Sequence, residues 1–112
     1  MSYDYLKLWE PMKINKMRLR NRIMLSAMGT FTPMQDGTDS EEGIRYYEER
    51  AKGGAGLIMT GAMFLSEKTA QGGPTLNLYS TRAIPKATVM VERVHRWGAK
   101  MCLQLSCGTG RN

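Results

Sequence analysis

Few side chains in this sequence are placed to do chemistry. Gln104 is the one polar residue within the apolar run Met101-Cys102-Leu103-Gln104-Leu105. A primary amide donates and accepts hydrogen bonds at once, and burying it unpartnered costs roughly 1–3 kcal/mol. Such a residue either bonds neighbouring backbone or is held for a ligand. His95 is the sole histidine. It falls beside Arg96 on the polar side of a helical stretch with no carboxylate to orient it, so it reads as a surface residue rather than a base. Cys102 and Cys107 lack Cys-x-x-Cys spacing and cannot hold an iron–sulfur cluster. Cys102 reads as a small buried hydrophobe and Cys107 as a loop thiol. Gly108-Thr109-Gly110-Arg111 has the look of a phosphate nest, but a lone Gly-x-Gly reads as a plain turn. No catalytic residue and no metal-ligand set can be assigned.

The elements that would position these residues follow from periodicity. Met12 and Ile14, then Met17 and Leu19, alternate with polar neighbours around Asn15-Lys16, which predicts a hairpin over 12–20. Tyr5 and Trp9 are expected to pack near it. Apolar runs without alternation predict strands covered on both faces at about 23–28, 56–62 and 100–105. Helices are expected at about 40–52 and 84–97. For the first, Thr38 with Glu41, or Asp39 with Glu42, has capping-box spacing. Ile44, Tyr47 and Ala51 share its apolar face; Arg45 with Glu49 and Glu48 with Lys52 pair on the other, and Gly53-Gly54 stops it. In the second, Pro85 suits the first turn, Ala87, Met90, Val91, Val94 and Trp97 form the core stripe, and Gly98 closes it. Residues 29–40 and 63–80 read as loops.

With 112 residues there is room for one small domain. The 42% hydrophobic and 23% charged composition is globular, which excludes a disordered tail or a fibrous repeat. No apolar run approaches the ~18 residues of a membrane span, the polar start is no secretion signal, and two cysteines make no disulfide framework. These features predict a cytoplasmic protein. The net charge of +6 raises nucleic-acid binding as an option. Lys and Arg are nevertheless interleaved with Glu in both predicted helices, and the basic run 13–20 alternates with apolar residues as a solvated strand face does, so no nucleic-acid partner is expected.

Strands alternating with amphipathic helices predict a parallel sheet with right-handed crossovers. Helices on one side cover only one face, yet these strands read as apolar on both. A closed (β/α)8 barrel removes that conflict, since one face meets the helices and the other fills the barrel. The fold class expected is therefore α/β: a hairpin followed by the first three strands and two helices of an incomplete TIM barrel.

Several blocks carry a specific resemblance. Leu19-Arg20-Asn21-Arg22-Ile23, Tyr46-Tyr47-Glu48-Glu49-Arg50-Ala51-Lys52-Gly53-Gly54, Gly56-Leu57-Ile58, Val94-His95, Gly98-Ala99-Lys100 and Leu103-Gln104-Leu105 resemble, in register, blocks of the Old Yellow Enzyme family of flavin-dependent ene-reductases. The nearest branch is similar to 2,4-dienoyl-CoA reductase and the bile-acid-type reductases. The resemblance implies FMN at the carboxyl mouth of the barrel, with NADH or NADPH as reductant and an unsaturated carbonyl or enoyl compound as substrate. It further implies that Ser26, Ala27, Met28 and Gly29 lie along the flavin ring, that Ala62 is a small residue beside it, and that the Gln104 amide bonds its pyrimidine edge. The family often has Pro at Ala27 and a flavin-tuning Thr or Cys at Gly29, a side-chain contact glycine cannot supply. Cys107 stands where the family usually has His. The proton source, the phosphate site and, in the branch that has one, the iron–sulfur ligands would all lie beyond this segment. Two readings follow: a segment of a flavin oxidoreductase, inactive alone and prone to self-association or pairing with the missing barrel portion, or a small α/β interaction module derived from such a barrel.

Overall fold

The computed structural model describes residues 5–30, 33–34, 36–69 and 76–108. After a one-turn helix α1 (Leu6–Trp9), strands β1 (Met12–Ile14) and β2 (Met17–Leu19) form an antiparallel hairpin in which Met12 pairs Leu19. Asn15 turns it in the left-handed region at φ 53°, a conformation that Asn tolerates through local hydrogen bonding. Strand β3 (Met24–Met28), helix α2 (Glu41–Lys52), strand β4 (Leu57–Phe64), the two-residue strand β5 (Leu76–Asn77), helix α3 (Ala83–Arg96) and strand β6 (Lys100–Ser106) follow. β3 and β6 flank β4, both parallel to it, and β5 takes over the β3 side of β4 at Met63 and Phe64.

Both helices lie on one face of this sheet. Ile44, Tyr47 and Ala51 from α2 meet Ile58, Met63, Met90, Val94 and Ala99 in a single buried cluster. Of the three long strands only β4 is covered throughout most of its length. β3 and β6 expose Met24, Met28, Leu103 and Leu105, so the expectation of apolar strands covered on both faces holds for the central strand alone. The reason is geometric: β4 has a strand on either side, whereas each flanking strand has an open edge among the described residues.

Several local expectations are revised. Neither capping-box frame is used; Ser40 is the N-cap of α2, and its hydroxyl accepts from the Gly43 N–H at 3.0 Å. Glu48 turns away from Lys52 to Arg93, 3.9 Å away, and to the Trp97 indole N–H at 3.2 Å. Trp97 is thus drawn out of the core stripe and is 39% exposed. The loop expected over 63–80 contains the end of β4 and all of β5. Tyr5 and Trp9 are exposed, and their segment is tied instead by the Arg22 N–H to the Leu8 carbonyl at 2.8 Å.

Arg20 also leaves the solvated face assigned to it. Its guanidinium donates to the Trp97 carbonyl and, at 2.7 and 2.8 Å, to the carbonyls of Ala51 and Ala55. One fork therefore caps the carboxyl ends of both helices, where orphan carbonyls and the negative end of the helix dipole favour a cation. Beside it the Asn21 amide donates to Gly54 O at 2.7 Å, and its oxygen would lie 2.5 Å from a Cβ on Gly56. These contacts close the face at which the strands begin. The strands end at the opposite face.

Candidate functional site

At the carboxyl ends of β3, β4 and β6 the register changes twice. Leu25 pairs Ile58 but Met28 pairs Thr60, so β3 carries one extra residue between them. Met59 pairs Cys102 but Ala62 pairs Gln104, so β4 carries one extra residue there. Bulges bend a strand and re-aim its side chains, and are over-represented beside active sites.

The bulges are locked from the helix side. Tyr47, fully buried on α2, donates its hydroxyl hydrogen to the Met28 carbonyl at 3.1 Å and accepts the Gly61 N–H at 2.9 Å. Burial pushes its phenol above the usual range, which keeps it protonated and able to donate. A Cβ on Gly61 would stand 2.6 Å from Gly29 Cα, so only glycine lets the two strand ends approach this closely. Tyr46 adds a contact from its hydroxyl to Met28 Sδ at 3.3 Å, while Arg50 stacks 3.6 Å above its ring. On the other side of β4, the buried Thr60 hydroxyl accepts the Gln104 backbone N–H at 3.2 Å.

The result is an open floor. Ala62 and Gln104 are register partners and both are exposed. Since the adjacent Met63 belongs to the core, alternation sets Ala62 and its partner on the face away from the helices. Ser26, Met28 and Gly29 are exposed and Ala27 is half-buried. Gln104 is thus not a buried amide, and no desolvation penalty applies: its backbone is tied to Thr60 while its side chain faces open space. Cys102, expected in the core, is likewise exposed because it follows the inward Met101 on the alternating strand.

Small residues beside a free primary amide suit a flat heteroaromatic group. A primary amide complements an edge that both donates and accepts. None of Ser26, Ala27, Met28, Gly29, Ala62 and Gln104 is ionisable near neutral pH, so none of them offers an acid or base there. Among the described residues no group of three or more His, Cys, Asp or Glu side chains converges to hold a metal. The Gly108–Arg111 turn falls mostly outside the described residues; Gly108, at φ 119°, donates its N–H to the Ser106 hydroxyl at 3.3 Å.

From the sequence Tyr47 reads as a core residue without a polar role, and Thr60 and Gly61 carry no role beyond their strand. An isolated glycine inside an apolar strand is itself a signal of a bulge or close backbone approach, and Gly61 fits it. The hydroxyl of Tyr47 leaves no such trace, because it acts on backbone atoms.

Known proteins share this fold. A cinnamate reductase of Clostridium sporogenes is 43% identical over 118 residues, covering 99% of this chain and 17% of the relative. An NADPH dehydrogenase of Halalkalibacterium halodurans is 34% identical, covering 89% of the chain and 30% of the relative. Among solved structures, the old yellow enzyme of Trypanosoma cruzi superposes with a TM-score of 0.82 at 30% identity, over 92% of this chain and 27% of that one. The Old Yellow Enzyme of Pichia sp. AKU4542 gives 0.82 at 27% identity, over 88% and 26%. The chain therefore spans less than a third of each of these proteins. It has the α/β fold of an incomplete TIM barrel, with β3, β4 and β6 as consecutive barrel strands. Residues 7–112 match one family throughout, and the chain belongs to it: the NADH:flavin oxidoreductase / NADH oxidase family.

Proposed function

We propose that this chain supplies part of the FMN bed of an NAD(P)H-dependent ene-reductase acting on a small unsaturated carbonyl or enoyl compound. The observation that carries the reading is the register pairing of Ala62 with Gln104, both exposed, beside the Gly29–Gly61 contact. Family membership and the 43% likeness to a cinnamate reductase support it.

Ser26, Ala27, Met28 and Gly29 would flank the ring, Ala62 would leave room beside it, and the Gln104 amide would bond its edge. FMN, when bound, carries hydride equivalents from the nicotinamide to the β-carbon of the activated alkene. This chain's residues orient the ring: Tyr47 and Thr60 fix the backbone of the floor, and the small side chains permit contact. Nothing in the floor supplies a proton. We place the groups that polarise the substrate carbonyl and protonate its α-carbon on barrel strands outside this chain, so that activity requires them.

The test is an FMN titration of the protein carrying this chain, followed by flavin fluorescence. Gln104→Ala should weaken binding about tenfold, the equivalent of one lost hydrogen bond of about 1.4 kcal/mol, with an unchanged melting midpoint because the residue is exposed. Ala62→Trp should block binding. FMN affinity indifferent to both substitutions would refute the placement.

A further inference from the structure

The extra residue in β3 between Leu25 and Met28 decides on which face of the sheet Met28 stands. Side chains of a strand alternate, and a slip of one residue moves every later one to the other face. Leu25 packs against the buried cluster shared by the helices and the sheet. Regular alternation from Leu25 would therefore send the long Met28 thioether to the face of Ala62 and Gln104. The bulge reverses this. Met28 pairs the fully buried Thr60, and its sulfur meets the hydroxyl of Tyr46, a residue of α2, at 3.3 Å.

Two adjacent residues of α2 thus grip Met28 from its two ends. Tyr47 takes the backbone carbonyl at 3.1 Å, and Tyr46 takes the sulfur. A thioether is a weak acceptor on a side chain with three rotatable bonds, so nothing intrinsic keeps it in one place. Tyr46, by contrast, is held firmly. Its ring stands edge-on to that of Tyr47, with centroids 5.4 Å apart and planes at 86°, and the Arg50 guanidinium lies 3.6 Å from its centroid. Arg50 in turn donates to the Tyr46 carbonyl at 3.1 Å, which fastens the guanidinium beside the ring. Met28 is 54% exposed among the described residues, so packing restrains its side chain little and the hydroxyl is the restraint.

We infer that Tyr46 is a positioning residue: its hydroxyl holds the Met28 thioether on the helix side of the bulge, so that only the main chain of Met28 meets a ring on the floor. A methionine turned to the other face would stand among the small residues that make the floor flat, and an incoming ring would have to displace it. The inference rests on the reading of this floor as a flavin bed.

The test is an FMN titration of the protein carrying this chain as parent, Tyr46→Phe, Met28→Ala and the double variant. Tyr46→Phe keeps the ring and its stacking with Arg50 and removes one hydroxyl. It should weaken FMN binding about threefold, as suits one weak hydrogen bond. The loss should vanish in the Met28→Ala background, where no thioether is left to restrain. A merely structural tyrosine would cost the same in both backgrounds. A second readout needs no flavin: the 13C-methyl resonance of Met28 should lie away from that of free methionine, because the Tyr46 ring is adjacent, and move toward it in Tyr46→Phe. Equal FMN affinity of Tyr46→Phe and parent, an equal loss in both backgrounds, or a methyl signal that the substitution leaves in place would each overturn the assignment. Gln104→Ala, titrated alongside, separates this from the flavin reading. Weaker binding there with Tyr46→Phe unchanged removes the role of Tyr46 alone; no effect of Tyr46→Phe, Gln104→Ala or Ala62→Trp removes the placement of the flavin as well.

Discussion

The hydroxyl of Tyr47 lies 2.9 Å from the backbone nitrogen of Gly61, and through that bond a helix residue sets the shape of a strand. The same oxygen reaches the Met28 carbonyl, so one phenol spans two strands at the point where both depart from regular pairing. Removing the hydroxyl leaves a buried N–H and a carbonyl without a partner. Tyr47→Phe is expected to cost roughly 1–3 kcal/mol in urea unfolding and to weaken FMN binding as well. A stability equal to that of the parent would show that the bulges hold themselves.

Gly61→Ala is expected to be worse than its size suggests. The added methyl meets the backbone of Gly29 and Met28, which cannot rotate aside as a side chain can. Separating β3 from β4 should cost about 1–3 kcal/mol, the usual range for overpacking. Flavin affinity should fall with it, since the same separation widens the floor. Unfolding curves that superimpose on those of the parent would refute this.

At the other face, Arg20→Met is expected to destabilise by roughly 2–3 kcal/mol by removing the donor that two helix ends share. Arg20→Lys should recover only a minor part, because a single ammonium cannot reproduce a planar fork. Urea midpoints of the two variants and the parent decide it; equal midpoints for Lys and Arg would mean that charge alone matters.

Burial pushes the Asp39 carboxyl up to about 6 from its ordinary 3.8. The folded state therefore holds this proton more tightly than the unfolded chain does. The resulting penalty grows as pH rises from about 4 to 6, reaching about 3 kcal/mol, and stays constant above that. Asp39→Asn should remove the slope. Comparing variant with parent at each pH cancels Asp36 and Glu41, whose hydrogen bonds to Thr38 and Arg93 depress them and give the opposite trend. Urea unfolding at several pH values measures the difference; one that does not change with pH would disprove the prediction.

What the sequence discloses and what it conceals divide along a physical line. Periodicity finds the elements: the helix expected at 84–97 runs Ala83–Arg96, and the strand expected at 56–62 runs Leu57–Phe64. Burial of Ile44, Tyr47, Met90 and Val94 follows from the same patterns. Relations between backbone atoms distant in sequence are hidden. Arg20 looks like one more cation in a basic run until its carbonyl partners, at Ala51, Ala55 and Trp97, are known. Ser40 outcompetes two better-spelled capping boxes because only its hydroxyl reaches a free N–H. The exposure of Gln104 depends on which face has a second layer, which no local pattern encodes.

The Arg20 fork and the Gly29–Gly61 contact lie at opposite poles of the same sheet. A mutation that reshapes the upper rim therefore leaves the lower fastening intact. The two ends of the sheet can thus be altered separately, and the cost of each change is read at its own end.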